Sequence, residues 1–127
     1  MIIKDLQSCT EFIAGDHTIL RELLHPAKEK LELRYSLAFA VLKHGKTSFP
    51  HKLKTSEVYF ILEGEGIMHV GDESAQVIPG NAIYILPDTR QFIQNSGRKD
   101  LKFICIVDPA WKEEDEFVYP THFRTDL

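Results

Sequence analysis

Glu57-Val58-Tyr59-Phe60-Ile61-Leu62 is the stretch on which the fold turns. It is rich in β-branched and aromatic side chains, which suit a pleated, half-buried surface, and the turn residues Gly64-Glu65-Gly66 follow it. In a strand, Glu57, Tyr59 and Ile61 share one face, and Val58, Phe60 and Leu62 share the other. Both faces are largely apolar, so the strand is expected to be covered twice. One face lines a barrel, and the other packs on a second sheet or a neighbouring subunit. Glu57 is the hydrophilic exception, and a carboxylate on a buried face needs a partner.

Outward from this strand the pattern repeats. Tyr35 to Leu42, Ile67 to Val70, Ala75 to Ile78, Ala82 to Leu86, Gln91 to Gln94 and Leu101 to Val107 read as further short strands. Between them fall Gly71-Asp72-Glu73, Pro79-Gly80-Asn81, Pro87-Asp88 and Asn95-Ser96-Gly97. Those residues accept the backbone angles of tight turns, and their short, regular spacing predicts hairpins in an all-β sandwich or barrel.

The flanks are less regular. Thr18 to Leu24 reads as a strand or one helical turn, with Asp16 as a turn residue or an N-cap. Pro26 to Leu33 is charged and loop-like. Asp108-Pro109 ends the last strand. Trp111 to Phe117 suits a short helix or arm, with Trp111 and Phe117 packing back and the acids in water, and Thr121 to Leu127 is expected to fray.

Composition sets the class. The chain has 127 residues, 43% hydrophobic and 27% charged, with a net charge of −4. That is one domain with a core of its own and an ordinary soluble balance. No clustered basic face favours nucleic acid, and no apolar run is long enough to cross a membrane as a helix. The first residues, Met1-Ile2-Ile3-Lys4-Asp5, lack the apolar run of a secretory signal, so the cytoplasm is the expected compartment. Cys9 and Cys105 have no metal or redox spacing, and Cys105, inside Phe103-Ile104-Cys105-Ile106-Val107, reads as a small buried hydrophobe.

Two segments then stand out. The first runs from Gly45 through His51, Leu53 and Glu57 to Gly64, and the second from Gly80 through Leu86-Pro87-Asp88 and Gln91 to Asn95. They resemble the two signature motifs of the cupin superfamily over about residues 36 to 107. Gly45, His51, Glu57, Gly64, Gly80 and Asn95 fall on the pattern. The second histidine of the first motif is Leu53 here, and the histidine of the second motif is Gln91. Leu86 and Asp88 occupy that motif's proline and glycine slots. The resemblance implies a single-domain jelly-roll β-barrel spanning 1–127, with an N-terminal extension and a short C-terminal arm or helix. The stretch from Val107 to Glu116 also resembles the tail of small cupins of the phosphomannose-isomerase-like group.

The resemblance also implies a site. His51 offers an imidazole nitrogen, Glu57 an anionic oxygen and Gln91 a carbonyl oxygen. Three such donors with an open position suit a divalent metal ion such as zinc, manganese, iron or nickel. The competing reading is a hydrogen-bonded polar cluster without an ion, in which His51 and Glu57 pair and Gln91 completes the set. His69 is a lesser candidate, and His17, His25, His44 and His122 are expected in solvent. Tyr59, Tyr84 and Phe49 read as core or pocket wall.

Two functions follow. The first is a metal-assisted enzyme of the sugar-phosphate isomerase or epimerase type, with Glu57 catalytic; Lys52, Lys54 or Arg90 could meet an anionic group at the mouth, although a plain surface position is the commoner fate of such side chains. The second is a non-catalytic module that binds or senses a small ligand without metal. An iron dioxygenase fits less well, because only one histidine of the usual three is present. The outer face of Val58, Phe60 and Leu62 predicts a homodimer through sheet packing.

Overall fold

The structure, a computed structural model, describes residues 1–120. The expectations for Thr121 to Leu127, His122 included, lie outside the described residues. Eleven strands fall into two antiparallel sheets among the described residues. They are β1 (Glu11–Ile13), β2 (Ile19–Leu24), β3 (Ser36–Leu42), β4 (His51–Leu53), β5 (Ser56–Glu63), β6 (Gly66–Val70), β7 (Glu73–Val77), β8 (Ala82–Ile85), β9 (Gln91–Asn95), β10 (Leu101–Asp108) and β11 (Glu116–Val118). One sheet runs β1-β2-β3-β10-β5-β8 and the other β11-β4-β9-β6-β7. This is the all-β sandwich that the alternation and turn spacing imply, and the jelly roll that the resemblance implies.

Strand parity puts the core between the sheets. Along β10, Leu101, Phe103, Cys105 and Val107 point inward while their neighbours are half-buried. β5 lies beside it in antiparallel register, Cys105 opposite Tyr59 and Val107 opposite Glu57. Its inward residues are Glu57, Tyr59 and Ile61, as the sequence predicts. Ile61, Ile93, Leu101 and Phe103 are fully buried, and each such side chain contributes about 1.5–3 kcal/mol relative to exposure.

Two motif residues serve this scaffold. Gly64 turns β5 into β6 at φ 81°, where an added Cβ would lie 2.7 Å from the Asp100 carbonyl oxygen. Asn95 is buried, its amide donating to the carbonyls of Leu42 and Lys99 at 2.9 and 2.8 Å. Its side-chain oxygen accepts from Gly97 N at 3.0 Å, which fixes the turn into β10.

The flanks differ in detail from their sequence reading. Residues 19–24 are a strand, and Asp16 closes a turn ahead of it, accepting from Thr18 N and Oγ1 at 3.1 and 2.7 Å. A single helical turn, α1 (Pro26–Glu29), interrupts the expected loop. His25 is buried rather than solvated: its Nδ1 caps α1 by accepting from Ala27 N, and its Nε2 lies 2.8 Å from the Trp111 carbonyl oxygen. The C-terminal arm has one 3-10 turn, Glu113–Asp115, and then adds β11 to the second sheet. Phe117 does not pack back but lies exposed, with Lys52 over its ring. His69 is no pocket residue either; it stacks on Phe92 at 4.1 Å. No helix among the described residues is long and apolar enough to cross a membrane.

Candidate functional site

A cavity of about 260 Å³ opens between the sheets at the end where β4, β5, β10 and β11 meet. Tyr59, Cys105 and Val107 form part of its wall, and Phe12 and Trp111 lie toward its rim. His51 and Leu53 enter from β4, Glu57 from β5 and Glu116 from β11. His51 and Glu57 thus share a cavity from opposite sheets, because the chain crosses between sheets at Lys54-Thr55. Asp16 completes the polar lining from the turn before β2.

Each polar group is held. His51 is 3% exposed, and its Nδ1 lies 3.0 Å from the Phe49 carbonyl oxygen, the geometry of a donated N–H. That leaves Nε2 facing Asp16 Oδ2 at 3.9 Å, beyond hydrogen-bond reach. Asp16 is 5% exposed; Phe49 N donates to its carbonyl oxygen at 2.8 Å, which pins the turn against the start of β4. Glu57 Oε1 accepts from Gln91 Nε2 at 3.1 Å. The Trp111 side chain hydrogen-bonds the Glu116 carboxylate. Gly15 leaves room for that carboxylate: a Cβ there would lie 2.9 Å from Glu116 Oε1.

The electrostatics follow from this packing. Burial pushes the Glu57 carboxyl up to about 7; His51 and the Gln91 amide pull it down, while Asp16 and Glu116 push it further up. Burial lowers the His51 imidazole, yet Asp16, Glu57, the Phe49 carbonyl and Glu116 outweigh it and hold the ring above its ordinary value. Burial likewise raises Glu116. Around neutral pH the cavity therefore holds a carboxyl that can give or take a proton.

Of the three residues expected to form a site, His51 and Glu57 line the cavity. Gln91 lies opposite His51 in the β4–β9 register, 1% exposed, but it does not line the cavity. It spends its amide nitrogen on Glu57, and its buried Oε1 has no hydrogen-bond partner. Asp16 and Glu116 were missed. The sequence offers Asp16 as a turn residue or an N-cap and sets Glu116 in an acidic run, and neither pattern points to a site. The alternation of Glu116-Phe117-Val118 was the available signal for a strand.

Residues 38–107 match the family description Cupin domain. The chain belongs to the cupin family. An uncharacterized protein of Methanocaldococcus jannaschii is 42% identical to this cupin over 105 residues, 82% of this chain and 83% of that one. In structure this cupin is similar to a predicted oxalate decarboxylase from Thermotoga maritima, with a TM-score of 0.75 and 21% identity over 85% of this chain and 99% of that one. It is also similar to Pac13 of Streptomyces, a nucleoside dehydratase, with a TM-score of 0.73 and 15% identity over 94% and 91% of the two chains. At these identities the structural likeness establishes the shared barrel.

Cupins often bind metals, so the donor set has to be tested against an ion. Among the described residues no three His, Cys, Asp or Glu side chains come together as ion ligands. Gln91 turns its N–H onto Glu57, so its oxygen does not join the other donors. With His51 Nε2 and Asp16 Oδ2 3.9 Å apart, a zinc ion about 2.0 Å from each would subtend an angle of about 155°, far from tetrahedral. As arranged, these residues do not fit a resident divalent ion.

Proposed function

We propose that this cupin is a small-molecule enzyme that works by proton transfer, with Glu57 as the acid–base group and His51 as the imidazole that shares its cavity. The observation that carries the reading is the setting of Glu57. Its carboxyl is buried, one oxygen is anchored by Gln91 at 3.1 Å, and it lines the cavity beside the imidazole. A buried carboxyl poised near neutrality on a cavity wall has the property a general acid–base catalyst needs. The reaction class is isomerisation or epimerisation of a small polar molecule, in which one group removes and returns a proton. The sequence likeness to phosphomannose-isomerase-like cupins is in keeping with that class.

No step passes through a metal ion, since the donors do not fit one. A sugar phosphate would find none of the expected basic side chains on the cavity lining. Lys52, Lys54 and Arg90 do not line the cavity. Lys28, which does, is engaged with Glu22 at 2.6 Å. The homodimer remains part of the proposal, through the outer face of β5.

The test is exchange of solvent deuterium into small hydroxy-carbonyl and amino-carbonyl compounds, followed by NMR with a chelator present. Catalysed exchange that falls about 10²- to 10⁴-fold in Glu57→Gln supports the reading. Exchange that needs added metal overturns it. Saturable binding with no exchange would move the protein to the non-catalytic class.

A further inference from the structure

Tyr59 has a polar end that the protein does not use. Its ring is seated, tilted on Phe103 with 4.6 Å between centroids, and the residue is 2% exposed. Among the described residues its hydroxyl has no hydrogen-bond partner, although a phenol buried this far ordinarily finds one. The buried side-chain oxygens sealed in without a partner, among the described residues, are Glu22 Oε1, Thr55 Oγ1 and Gln91 Oε1. The Tyr59 oxygen is not one of these. It is unpartnered but open, and the space that Tyr59 lines is the cavity.

The other side-chain donors on the lining are engaged. Thr18 Oγ1 donates to Asp16 at 2.7 Å, Lys28 pairs with Glu22, and the Trp111 side chain bonds Glu116. The Ser36 hydroxyl accepts from Trp111 N at 3.0 Å, and His51 is held by the Phe49 carbonyl and Asp16. Burial, and then the Glu57 carboxyl and the Cys105 thiol, hold the Tyr59 phenol well above its ordinary value. It therefore stays a donor throughout the range in which Glu57 titrates. The oxygen that meets it is uncharged, because Asp16, Glu57 and Glu116 oppose an anion in the cavity. Leu53, Ala38 and Val107 on the wall suit a compact hydrocarbon body.

Glu57 and Tyr59 point to the same side of β5, two residues and about 6.7 Å apart along the strand. We infer that the Tyr59 hydroxyl donates to the carbonyl oxygen of a small, neutral, enolisable ketone or aldehyde, whose neighbouring carbon faces Glu57. When the Glu57 carboxylate takes a proton from that carbon, the C–H electron pair becomes the C=C bond. The C=O π pair moves onto oxygen, where a donor already in place stabilises the enolate. Return of the proton from Glu57 to carbon reverses the flow. The proton step rests on the acid–base reading of Glu57, whereas the hydrogen bond to the bound carbonyl is read without turnover.

Cyclopentanone is the probe, added to the full chain with chelator present. Its protein-bound carbonyl stretch in the infrared should lie below the value in hydrocarbon solvent. Tyr59→Phe, which keeps the ring on Phe103, should return the band to that value, and methylenecyclopentane, which has no oxygen, should bind both proteins alike. Exchange of the hydrogens beside the carbonyl with solvent deuterium should fall about 10²- to 10³-fold in kcat in Tyr59→Phe, while KM rises about tenfold or less. Glu57→Gln should stop exchange and leave the band lowered. A lowered band without exchange in the parent therefore keeps the Tyr59 contact and removes the acid–base reading. The absence of saturable cyclopentanone binding overturns the inference, as does a bound carbonyl at its hydrocarbon value in the parent, a measurement that needs no variant. So does a lowered band, or a rate of exchange, that Tyr59→Phe leaves unchanged.

Discussion

Gln91 on β9 reaches across the barrel to Glu57 on β5, its amide nitrogen 3.1 Å from Oε1. The position where the family motif has a histidine thus supports the carboxylate instead of standing beside it as a ligand. Replacing Gln91 by leucine, of similar bulk, removes the only hydrogen bond described for that carboxylate. At pH 8 the variant should lose about 1–3 kcal/mol, the cost of leaving a buried acceptor unmet. At pH 5, with Glu57 protonated, the loss should be smaller. Urea denaturation at the two pH values measures both.

Stability should fall as pH rises across neutrality. Glu57 goes from an ordinary 4.5 when unfolded to about 7 when folded. The folded state therefore binds protons more tightly than the unfolded one, and its advantage is complete below about pH 4.5 and lost through about pH 7. The His51 imidazole, also raised, acts in the same direction. The Glu57 part amounts to about 3 kcal/mol at most. Glu57→Gln should flatten the slope of the urea midpoint between pH 5 and 8; an unchanged slope would place the titration elsewhere.

The outer face of the first sheet should be an interface between two copies. Phe60 and Leu62 are each 40% exposed and Tyr84 is 61% exposed, on the two neighbouring strands β5 and β8. A patch of that kind marks a contact surface. Light scattering at micromolar concentration should give a dimer mass for the parent and a monomer mass for a Phe60→Asp, Leu62→Lys double variant. A monomeric parent would sink the proposal.

Gly64→Ala should be costly although it adds one methyl. The left-handed conformation at φ 81° costs about 1–2 kcal/mol for a residue with a Cβ, and the new carbon would lie 2.7 Å from the Asp100 carbonyl oxygen. The obstacle is backbone, so β10 has to shift. A drop in melting temperature of about 5 °C or more is expected for a domain of this size.

How much of this was legible is best seen strand by strand. β5 and β10 announced themselves because inward and outward residues alternate without a break, and Gly64 and Asn95 marked turns whose backbone demands are local. Glu57 was legible as the one hydrophilic residue on an otherwise apolar strand face, and His51 through its place in the first cupin-like motif. Asp16 was not, because its own hydrogen bonds to Thr18 are a sufficient local reason for an aspartate there. What brings it to His51 is a tertiary link, Phe49 N to Asp16 O. Glu116 was hidden by its acidic neighbours, and only pairing with β4 turns it inward. The side of Gln91 that meets Glu57 is a property of packing that no spacing encodes.

β4 has only three residues and shares one register pair with β9, His51 opposite Gln91, whereas β11 matches it along its whole length. The imidazole is thus held in place by a strand made some sixty residues later in the chain. The cavity draws Asp16, His51, Glu57 and Glu116 from well-separated parts of the chain, so no short stretch contains them all. An excursion of β11 from the sheet would take Glu116 out of the cavity and leave β4 with its one register pair to β9.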